Sequence, residues 1–206
     1  MIKRFISKDI QVIDNLIPDS IRNDVWECIK LNNETTGWKF GAFSTMEFME
    51  EQFWKMKIYR SSNIQSIMNL FDFINSKKFG GRLEIELIEE NKGDNMSYPN
   101  IYINGQTANQ EGTIHQDNVD ENALTILYYP ILLNHDPSNY FWDIHWGGET
   151  LFYNDKKDEI IKSVLPKPNR LVIFPGSIPH RASAPTKYMG SDQLRISLAF
   201  KCFVKT

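Results

Sequence analysis

The sequence predicts an α+β fold in which helices come first and many short strands follow. Two observations predict it. Apolar residues recur at helical spacing twice within the first eighty residues, and from Arg82 onward they alternate with polar residues as they do in strands. We therefore expect one domain over residues 1–206, with helical support over residues 1–81 and a strand-rich core over residues 82–206. A chain of this length does not require a second core.

Two helices are expected in the amino-terminal part. In front of the first, Pro18-Asp19-Ser20 offers an N-cap to apolar residues that stand four apart and form one stripe. The stripe consists of Ile21, Val25 and Ile29. Ser61-Ser62-Asn63 precedes the second helix, which Gly80-Gly81 would end. The first eighty residues are thus expected to be mostly helical, while the aromatic-rich stretch 38–53 has no assignment.

The rest of the chain carries the pattern of short strands. Leu83, Ile85 and Leu87 alternate with glutamates, which is typical of a strand with one solvated face. Five further strand-like runs follow, at 101–104, 124–129, 150–153, 170–174 and 194–204. Turn-forming pairs separate them, at Asn104-Gly105, Gly147-Gly148, Asn154-Asp155 and Pro175-Gly176. The pattern favours a sandwich or barrel-like core, and a double-sheet jelly roll fits the count, with other sandwiches left open.

Composition and charge narrow the classes of function. The chain is 41% hydrophobic with a net charge of −3, so broad affinity for nucleic-acid phosphates is not expected. No stretch approaches the roughly 18 apolar residues of a spanning helix, and the amino terminus has no apolar signal segment. Cys28 and Cys202 fit neither a disulfide framework nor a metal-ligand spacing. We expect a cytoplasmic protein without a membrane or nucleic-acid partner, of unknown oligomeric state.

Three residues form a candidate metal site. His115 and Asp117 are two residues apart, so on a strand both side chains would point to the same face. Such a pair arises often by chance, but His180 adds a third ligand type after an apolar strand and a turn. Two imidazoles and one carboxylate bind one face of an iron(II) ion and leave three positions for other molecules. For His180, a hydrogen-bonded loop histidine is the alternative.

Arg195 is a candidate anion-binding residue. It interrupts an apolar strand, in which alternation puts Arg195, Ser197 and Ala199 on one face. A buried arginine is costly unless an anion pairs with it. The anion could be internal, with Glu149 or Asp192 as the partner. It could also be a bound dicarboxylate, held by two parallel N–H···O bonds to which Ser197 adds a third.

Further segments accompany these residues: Tyr102-Ile-Asn-Gly105, Leu124-Thr-Ile-Leu-Tyr-Tyr129, Trp146-Gly-Gly-Glu-Thr-Leu-Phe152, Leu165-Pro-Lys-Pro-Asn-Arg-Leu-Val-Ile-Phe174, Pro179-His180 and Leu194-Arg-Ile-Ser197. Together, over about residues 98–203, or half of the chain, they resemble the iron(II)/2-oxoglutarate-dependent oxygenases of the prolyl 4-hydroxylase type. The resemblance rests on several motifs. They are the two histidines with the aspartate, the arginine and serine downstream of them, and a glycine-rich hairpin in between.

The resemblance implies a double-stranded β-helix core, which is a jelly roll, with iron(II) as cofactor and 2-oxoglutarate and dioxygen as co-substrates. It implies that the iron is bound by three residues, His115, Asp117 and His180. It also implies that Arg195 holds the distal carboxylate of 2-oxoglutarate, while Tyr102 and Tyr129 line or contact the same molecule. The aspartate favours hydroxylation, because the related halogenases typically have a small residue at that position.

The sequence departs from the family in spacing. The step from His180 to Arg195 is 15 residues (195 − 180), which is longer than is usual in the family. An inserted turn at 188–192 would account for it. If that loop instead redirects the strand, Arg181 or Lys187 becomes the carboxylate partner. The segment between Tyr102 and the first histidine also looks longer than in many relatives.

The substrate is the least determined part of the hypothesis. The resemblance implies hydroxylation of a C–H bond with release of succinate and carbon dioxide, first of a peptidyl proline or related peptide side chain. The same chemistry on a free amino acid or other small metabolite is the second hypothesis. Residues 131–146 carry four aromatic side chains and could form a substrate lid or pack on the core. His135 and His145, in that segment, are expected at the surface or in packing, and no substrate-binding residue is predicted.

Two other classes of function stay open from the sequence. One is a jelly-roll binding protein whose metal is structural or absent. The other is a zinc hydrolase with the same three ligands, since catalytic zinc often keeps an open position. The sequence shows no general base beside the ligands, and a zinc hydrolase would give Arg195 no role.

Overall fold

The structure, a computed structural model, describes residues 9–29, 37–44, 46, 52–56, 64–79, 84–91, 96–130, 142–191 and 193–205. Its helices are α1 (Asp19–Ile29) and α2 (Ile64–Ile74), the second continuing as a π-helix over Asn75–Phe79, and a 3-10 helix spans Ile144–Trp146. The first seven strands are β1 (Gln11–Asp14), β2 (Trp38–Ala42), β3 (Phe53–Met56), β4 (Glu84–Leu87), β5 (Glu89–Asn91), β6 (Ser97–Pro99) and β7 (Ile101–Gln106). The other six are β8 (Ala123–Tyr129), β9 (Thr150–Tyr153), β10 (Ile160–Val164), β11 (Arg170–Pro175), β12 (His180–Ala182) and β13 (Arg195–Lys205).

An eight-stranded antiparallel sheet organises the described residues. Its strands run in the order β1-β11-β8-β13-β7-β3-β2, and β4 pairs with the distal part of β13. A smaller sheet has the order β10-β9-β12, and β5 pairs with β6 in a two-stranded ribbon. The long strand β13 is central, because it pairs with β8 on one side and with β7 on the other.

The two faces of the large sheet pack against different layers. One face packs against α1 and α2 through an apolar cluster that includes Val25, Ile67, Ile126 and Leu198. The other face packs against the smaller sheet through Leu127 and Phe152 among others. Strand β8 is buried along its whole length because it is covered on both faces, which explains its nearly continuous apolar sequence.

This arrangement confirms the predicted fold class, α+β with a jelly-roll core and flanking helices. The helices follow the predicted apolar stripes, with Val25 and Ile29 fully buried in α1. The predicted strands at 124–129, 150–153 and 170–174 match β8, β9 and β11 to within one residue. Gly80-Gly81 and 61–63, the predicted ends of the second helix, lie outside the described residues.

The expectation that the first eighty residues are mostly helical is wrong for three segments. Strands β1, β2 and β3 belong to the large sheet, with β1 at one edge and β2 at the other. They have only four or five residues, too few to establish in the sequence the alternation that marks a half-buried strand. The periodicity of this part of the sequence is therefore dominated by its two helices.

The turn predicted at Asn104-Gly105 is also wrong, because both residues lie inside β7. Gly105 is needed there for space. A Cβ atom on Gly105 would come within 2.9 Å of Cζ3 of Trp38 and 3.3 Å of Cδ1 of Leu194. The glycine thus marks a close approach inside a strand.

Four short strands, β5, β6, β10 and β12, were not predicted. Three of them have only three residues, and the five-residue β10 exposes both Ile160 and Ile161. Segments this short do not establish a period. No helix in the described ranges is long and apolar enough to cross a membrane.

Gly105→Ala is expected to lower the free energy of unfolding by about 1–3 kcal/mol, because the new methyl group overpacks against the Trp38 ring. Urea unfolding measures the effect. In a Trp38→Phe protein the ring is smaller and the clashing atoms are absent. Gly105→Ala should therefore lower the free energy of unfolding by less in that background. Equal costs in both backgrounds would contradict the packing argument.

Candidate metal centre and anion site

A pair of backbone hydrogen bonds brings two distant histidines together. The His115 amide donates to the His180 carbonyl at 3.0 Å, and the His180 amide donates to the His115 carbonyl at 2.9 Å. The expected strand at His115 is only this isolated bridge, whereas His180 begins β12. The imidazole centroids are consequently 4.6 Å apart. The bridge joins segments that are 65 residues apart (180 − 115).

Both imidazoles are held in the same tautomer. Nδ1 of His115 lies 2.8 Å from the Thr113 carbonyl oxygen, and Nδ1 of His180 lies 2.9 Å from that of Ile178. A carbonyl oxygen only accepts, so each Nδ1 carries the hydrogen and each Nε2 presents a lone pair. Such a bond from the second ring nitrogen is what orients histidines that ligate metals.

Asp117 lies between the two lone pairs. Its Oδ1 is 3.5 Å from Nε2 of His115, and its Oδ2 is 3.5 Å from Nε2 of His180. Candidate ligand atoms of all three residues lie within 4.8 Å of one another. Lone pairs and a carboxylate facing each other repel unless a cation or proton lies among them. The donor set therefore fits a divalent metal ion with open coordination positions, as iron(II) requires.

Charge and burial set the protonation states of this group. Burial lowers the pKa of His180 to about 4, which keeps the ring neutral and able to ligate near neutral pH. Burial opposes ionisation of Asp117, but the Lys201 ammonium and the two imidazoles outweigh it, so the pKa of Asp117 lies well below its ordinary value. Lys201 forms an ion pair with Asp117, and the Thr125 hydroxyl donates to the same carboxylate at 2.6 Å.

Arg195 is buried and bonded to neutral oxygens. Nε donates to the Gly148 carbonyl at 2.5 Å, one terminal nitrogen to Oε1 of Gln106 at 3.0 Å and the other to Oγ1 of Thr150 at 2.8 Å. Its exposed fraction is 2%, and among the described residues no carboxylate lies in ion-pair distance of it. A buried guanidinium in this state fits an anion supplied from outside the chain.

Of the two internal partners expected for Arg195, Glu149 forms no ion pair with it in the described ranges, although its charge acts on the guanidinium. Glu149 accepts a hydrogen bond from the Ser183 hydroxyl at 3.0 Å, and Asp192 lies outside the described residues. Gly148, with φ +75°, leaves room for the arginine, since a Cβ there would be 3.2 Å from Cδ of Arg195. A turn lies at Lys187 and Tyr188, one residue ahead of the 188–192 segment where it was expected, and the last residue of that segment is outside the described ranges.

Two neighbouring chambers, which share part of their lining, lie beside these groups. The inner chamber, of about 80 Å³, is lined by residues that include Gln106, Thr150, Arg195 and Ser197. The outer chamber, of about 360 Å³, is lined by residues that include Lys55, Asn100, Tyr102 and Asp117. Both chambers share a boundary formed by Ser44, Phe53, Asn104, His115, Ala199 and Lys201. The candidate metal centre thus lies where the chambers meet.

The structure separates the two tyrosines that the sequence analysis grouped together. Tyr129 is fully buried beside Arg195, with its ring centroid 5.5 Å from the guanidinium carbon and its hydroxyl 2.6 Å from Oγ1 of Thr150. Burial raises its pKa. Tyr102 lines the outer chamber and donates to Glu90 at 3.1 Å, so it is not brought to Arg195. Burial, followed by Glu90, raises the pKa of Tyr102.

Several residues of the site were not predicted from the sequence. Gln106 and Thr150 hold Arg195, Asn104 lines both chambers, and Lys201 contacts Asp117. The period of two along β13 could have found Lys201, because that residue continues the face of Arg195 and Ser197. Gln106 likewise continues the face of Tyr102 along β7.

Most of the segment 131–146, for which a lid was one hypothesis, lies outside the described residues, namely 131–141 with His135. Trp142 and Trp146 pack edge to face at 5.3 Å, in a small cluster with Met189. Neither lines a chamber of the cavity. His145 is exposed, as expected, and Arg181 is paired with Glu111.

Comparison with protein families identifies a similarity over the site-bearing half of the chain. The family model of the 2OG-Fe(II) oxygenase superfamily matches residues 98–200. This range contains the three candidate ligands and Arg195. No curated protein sequence matches the chain.

Solved structures resemble the whole fold. A Pseudomonas putida prolyl-4-hydroxylase is 18% identical with a TM-score of 0.57, and the match covers 97% of this chain and 94% of that one. A Trichoplax adhaerens prolyl hydroxylase, solved with a peptide fragment of hypoxia inducible factor, is 15% identical with a TM-score of 0.56, covering 98% and 86%. A 2OG-Fe(II) oxygenase family oxidoreductase from Burkholderia pseudomallei is 13% identical with a TM-score of 0.59, covering 94% and 85%. At these identities the likeness is evidence for the fold.

The metal-free protein is expected to lose stability in acid because of His180. Its pKa is about 4 in the folded chain and about 6.5 when exposed, so below pH 6.5 the unfolded chain binds a proton that the folded chain does not. The free energy of unfolding should fall by up to about 3 kcal/mol between pH 6.5 and pH 4 from this group alone. Asp117, whose pKa is lowered, adds a loss only at lower pH, below its ordinary value.

Urea unfolding of chelator-treated protein across this pH range measures the loss. His180→Asn should flatten the pH dependence, whereas His145→Asn, at an exposed site, should leave it unchanged. If the free energy of unfolding of His180→Asn still fell between pH 6.5 and pH 4, the loss of stability could not be assigned to His180.

Proposed function

Because this chain belongs to the 2OG-Fe(II) oxygenase superfamily, we propose that His115, Asp117 and His180 bind its iron(II) and that Arg195 binds a carboxylate of 2-oxoglutarate. The family uses iron(II), 2-oxoglutarate and dioxygen, and this chain is a 2-oxoglutarate-dependent dioxygenase. The proposal treats the chain as one oxygenase domain. Its amino-terminal helices support this, since they pack into the same apolar cluster as β8 and β13.

One observation carries the ligand assignment. Both Nδ1 atoms are committed to backbone carbonyls, so both Nε2 lone pairs face the two oxygens of Asp117 at 3.5 Å. Three ligand atoms that converge in this way, with both Nε2 atoms free of hydrogen, form a donor set for one metal ion. The zinc-hydrolase alternative accepts the same ligands, but it leaves the buried Arg195 without a function.

The reaction that we propose is hydroxylation of a substrate C–H bond. The bound iron would supply, with 2-oxoglutarate and dioxygen, the oxidising power that converts C–H to C–OH while 2-oxoglutarate leaves as succinate and carbon dioxide. The protein's own groups bind and orient. Arg195 would fix the far carboxylate of 2-oxoglutarate in the inner chamber, and Leu127 and Phe174 in its lining limit water there.

Three further residues have supporting positions in this proposal. Ser197 lines the inner chamber on the face of Arg195, where its hydroxyl can donate to the same carboxylate. Tyr129 lies behind the guanidinium, which makes it a support for Arg195 and Thr150. Tyr102 faces the outer chamber, so it would contact whatever part of the bound molecules lies in that chamber.

A peptidyl proline or related peptide side chain is the first candidate substrate. The support is the fold likeness to prolyl hydroxylases, one of which was solved with a peptide. A free amino acid or other small metabolite is the second candidate. The observation that favours it is the outer chamber itself, whose volume of about 360 Å³ and lining of two lysines suit a small anionic molecule.

Removal of a ligand tests the metal assignment. His115→Ala should lower the affinity for iron(II) by about 100-fold or more and abolish 2-oxoglutarate-dependent oxygen consumption, since two ligands cannot define the site. Anaerobic equilibrium dialysis and an oxygen electrode measure the two effects. His145→Ala is the matched control and should behave as wild type. Full turnover in His115→Ala would overturn the assignment.

Replacement of the buried arginine tests the co-substrate site. In manganese-loaded protein, 2-oxoglutarate should raise the melting temperature of wild type and of Arg181→Met, but not of Arg195→Met. Arg195→Met should still fold, because it removes a buried charge that has no carboxylate partner among the described residues.

Circular dichroism checks the folding of Arg195→Met. The opposite pattern, with the response lost in Arg181→Met and kept in Arg195→Met, would move the co-substrate to the alternative arginine.

A further inference from the structure

Lys201 extends the cavity-facing row of β13 beyond the co-substrate arginine. Arg195, Ser197, Ala199 and Lys201 alternate along the strand and all line the cavity. Lys201 is six residue steps along the strand from Arg195 (201 − 195), so their Cα atoms are about 20 Å apart. Arg195 lies in the inner chamber and Lys201 at the junction with the outer one. The strand therefore presents one cation inside the inner chamber and a second beside the candidate metal centre.

The two cations differ in what would neutralise them. With iron(II) and 2-oxoglutarate bound, the carboxylates of Asp117 and of 2-oxoglutarate would offset the charges of the iron and of Arg195. Lys201 has Asp117 as its ion-pair partner, and no other carboxylate in the described part of the chain is paired with it. The Lys201 side chain is only 14% exposed, so water compensates its charge poorly. An anion in the outer chamber would complete the balance.

Unpaired acceptors lie in the same chamber. The side-chain oxygens of Asn100 and Asn104 are buried and have no hydrogen-bond partner within the described part of the chain. Both residues line the outer chamber, and the backbone carbonyl of Asn100 accepts from the Lys201 amide at 3.1 Å. Buried acceptors without donors are rare in folded proteins and cost free energy. A rotation of either side chain would turn its oxygen into the chamber, where a ligand that brings N–H donors would satisfy it.

We propose that Lys201, with Asn100 and Asn104, binds a substrate that carries a free α-carboxylate next to an N–H donor. This chemistry belongs to a free α-amino acid and to the carboxy-terminal residue of a peptide. The carboxylate would pair with Lys201, and the neighbouring N–H would donate to the asparagine oxygens. An internal peptide residue has no such carboxylate. The inference rests on the proposed function, whose second candidate substrate it makes specific.

The position of Lys201 gives this contact a role in selecting the substrate. Lys201 contacts Asp117, a candidate ligand, so a carboxylate on its ammonium group would lie beside the metal centre. The remainder of a small molecule would then lie within reach of the oxidising site. Lys201 is therefore a specificity-determining residue that touches substrate.

Paired acids and amides test the proposal. The probes are the twenty common L-amino acids, their α-amides, and tripeptides ending in the same residues as free acids and as amides. Calorimetry measures their binding to protein loaded with manganese(II) and 2-oxoglutarate, in which no turnover occurs. In wild type, at least one acid should bind about tenfold or more tightly than its amide. Preference for free amino acids or for tripeptide acids identifies the source of the carboxylate.

Substitutions then assign the preference to one residue. Lys201→Met should reduce the ratio of acid to amide affinity to near one, and Lys201→Arg should retain part of it. Lys205→Met is the matched control, because it removes an exposed lysine from the same strand and should keep the wild-type ratio. The ratio does not depend on the absolute activity of a variant.

Three outcomes would overturn the inference. In the first, wild type binds acids and amides equally. In the second, the preference for acids over amides survives in Lys201→Met. In the third, Lys201→Met changes only the affinity for the metal or for 2-oxoglutarate. The comparison in wild type stands even if a variant fails to fold. If wild type binds neither metal nor 2-oxoglutarate, the proposed function itself fails. If it binds both without distinguishing acids from amides, only this inference fails.

Discussion

The site depends on the reciprocal backbone bridge between His115 and His180. These two hydrogen bonds join a loop between β7 and β8 to the start of β12, which pairs with β9 in the smaller sheet. Each histidine also donates from Nδ1 to the carbonyl two residues before it, so backbone and side chain are fixed together. The two sheets are thereby connected where the candidate ligands meet. A shift of the smaller sheet would separate the imidazoles, and the fold and the metal centre therefore share one constraint.

The second organising feature is the buried positive charge of Arg195, whose hydrogen-bond partners are neutral groups. Arg195 is surrounded by the carbonyl of Gly148 and the side chains of Gln106 and Thr150, with the Tyr129 ring beside it. These partners hold the guanidinium in one orientation without neutralising it. A charged internal partner would compete with an incoming carboxylate, whereas oriented neutral acceptors leave the electrostatic attraction for the ligand. The chain is thus prepared for an anion at some cost to its own stability.

The features that could be predicted from the sequence are those with a sustained period. Apolar stripes predicted α1 and α2, and the alternation in β13 predicted that Arg195 and Ser197 share a face. The short strands β1 to β3 lacked such a period, and Gly105 resembled a turn residue because the Trp38 ring that requires a glycine there is a tertiary contact. The meeting of His115 with His180 was inferred from residue types and family resemblance. Distances, tautomers and the burial of Arg195 depend on contacts between distant segments, which one sequence does not display.

The alternation of side chains along β13 relates the proposed co-substrate site to the proposed substrate site. Every second residue of β13 from Arg195 to Lys201 faces the cavity, and the intervening residues, such as Leu198 and Phe200, anchor the strand in the helix-facing core. Because β13 pairs with β7 over 195–200 and with β8 over 198–203, a ladder of hydrogen bonds holds each of its cavity-facing residues at fixed intervals. A carboxylate at Arg195 and another at Lys201 would thus be positioned by one rigid element. The distance between the two anions, and with it the C–H bond nearest the metal, would then follow from the strand rather than from a mobile loop.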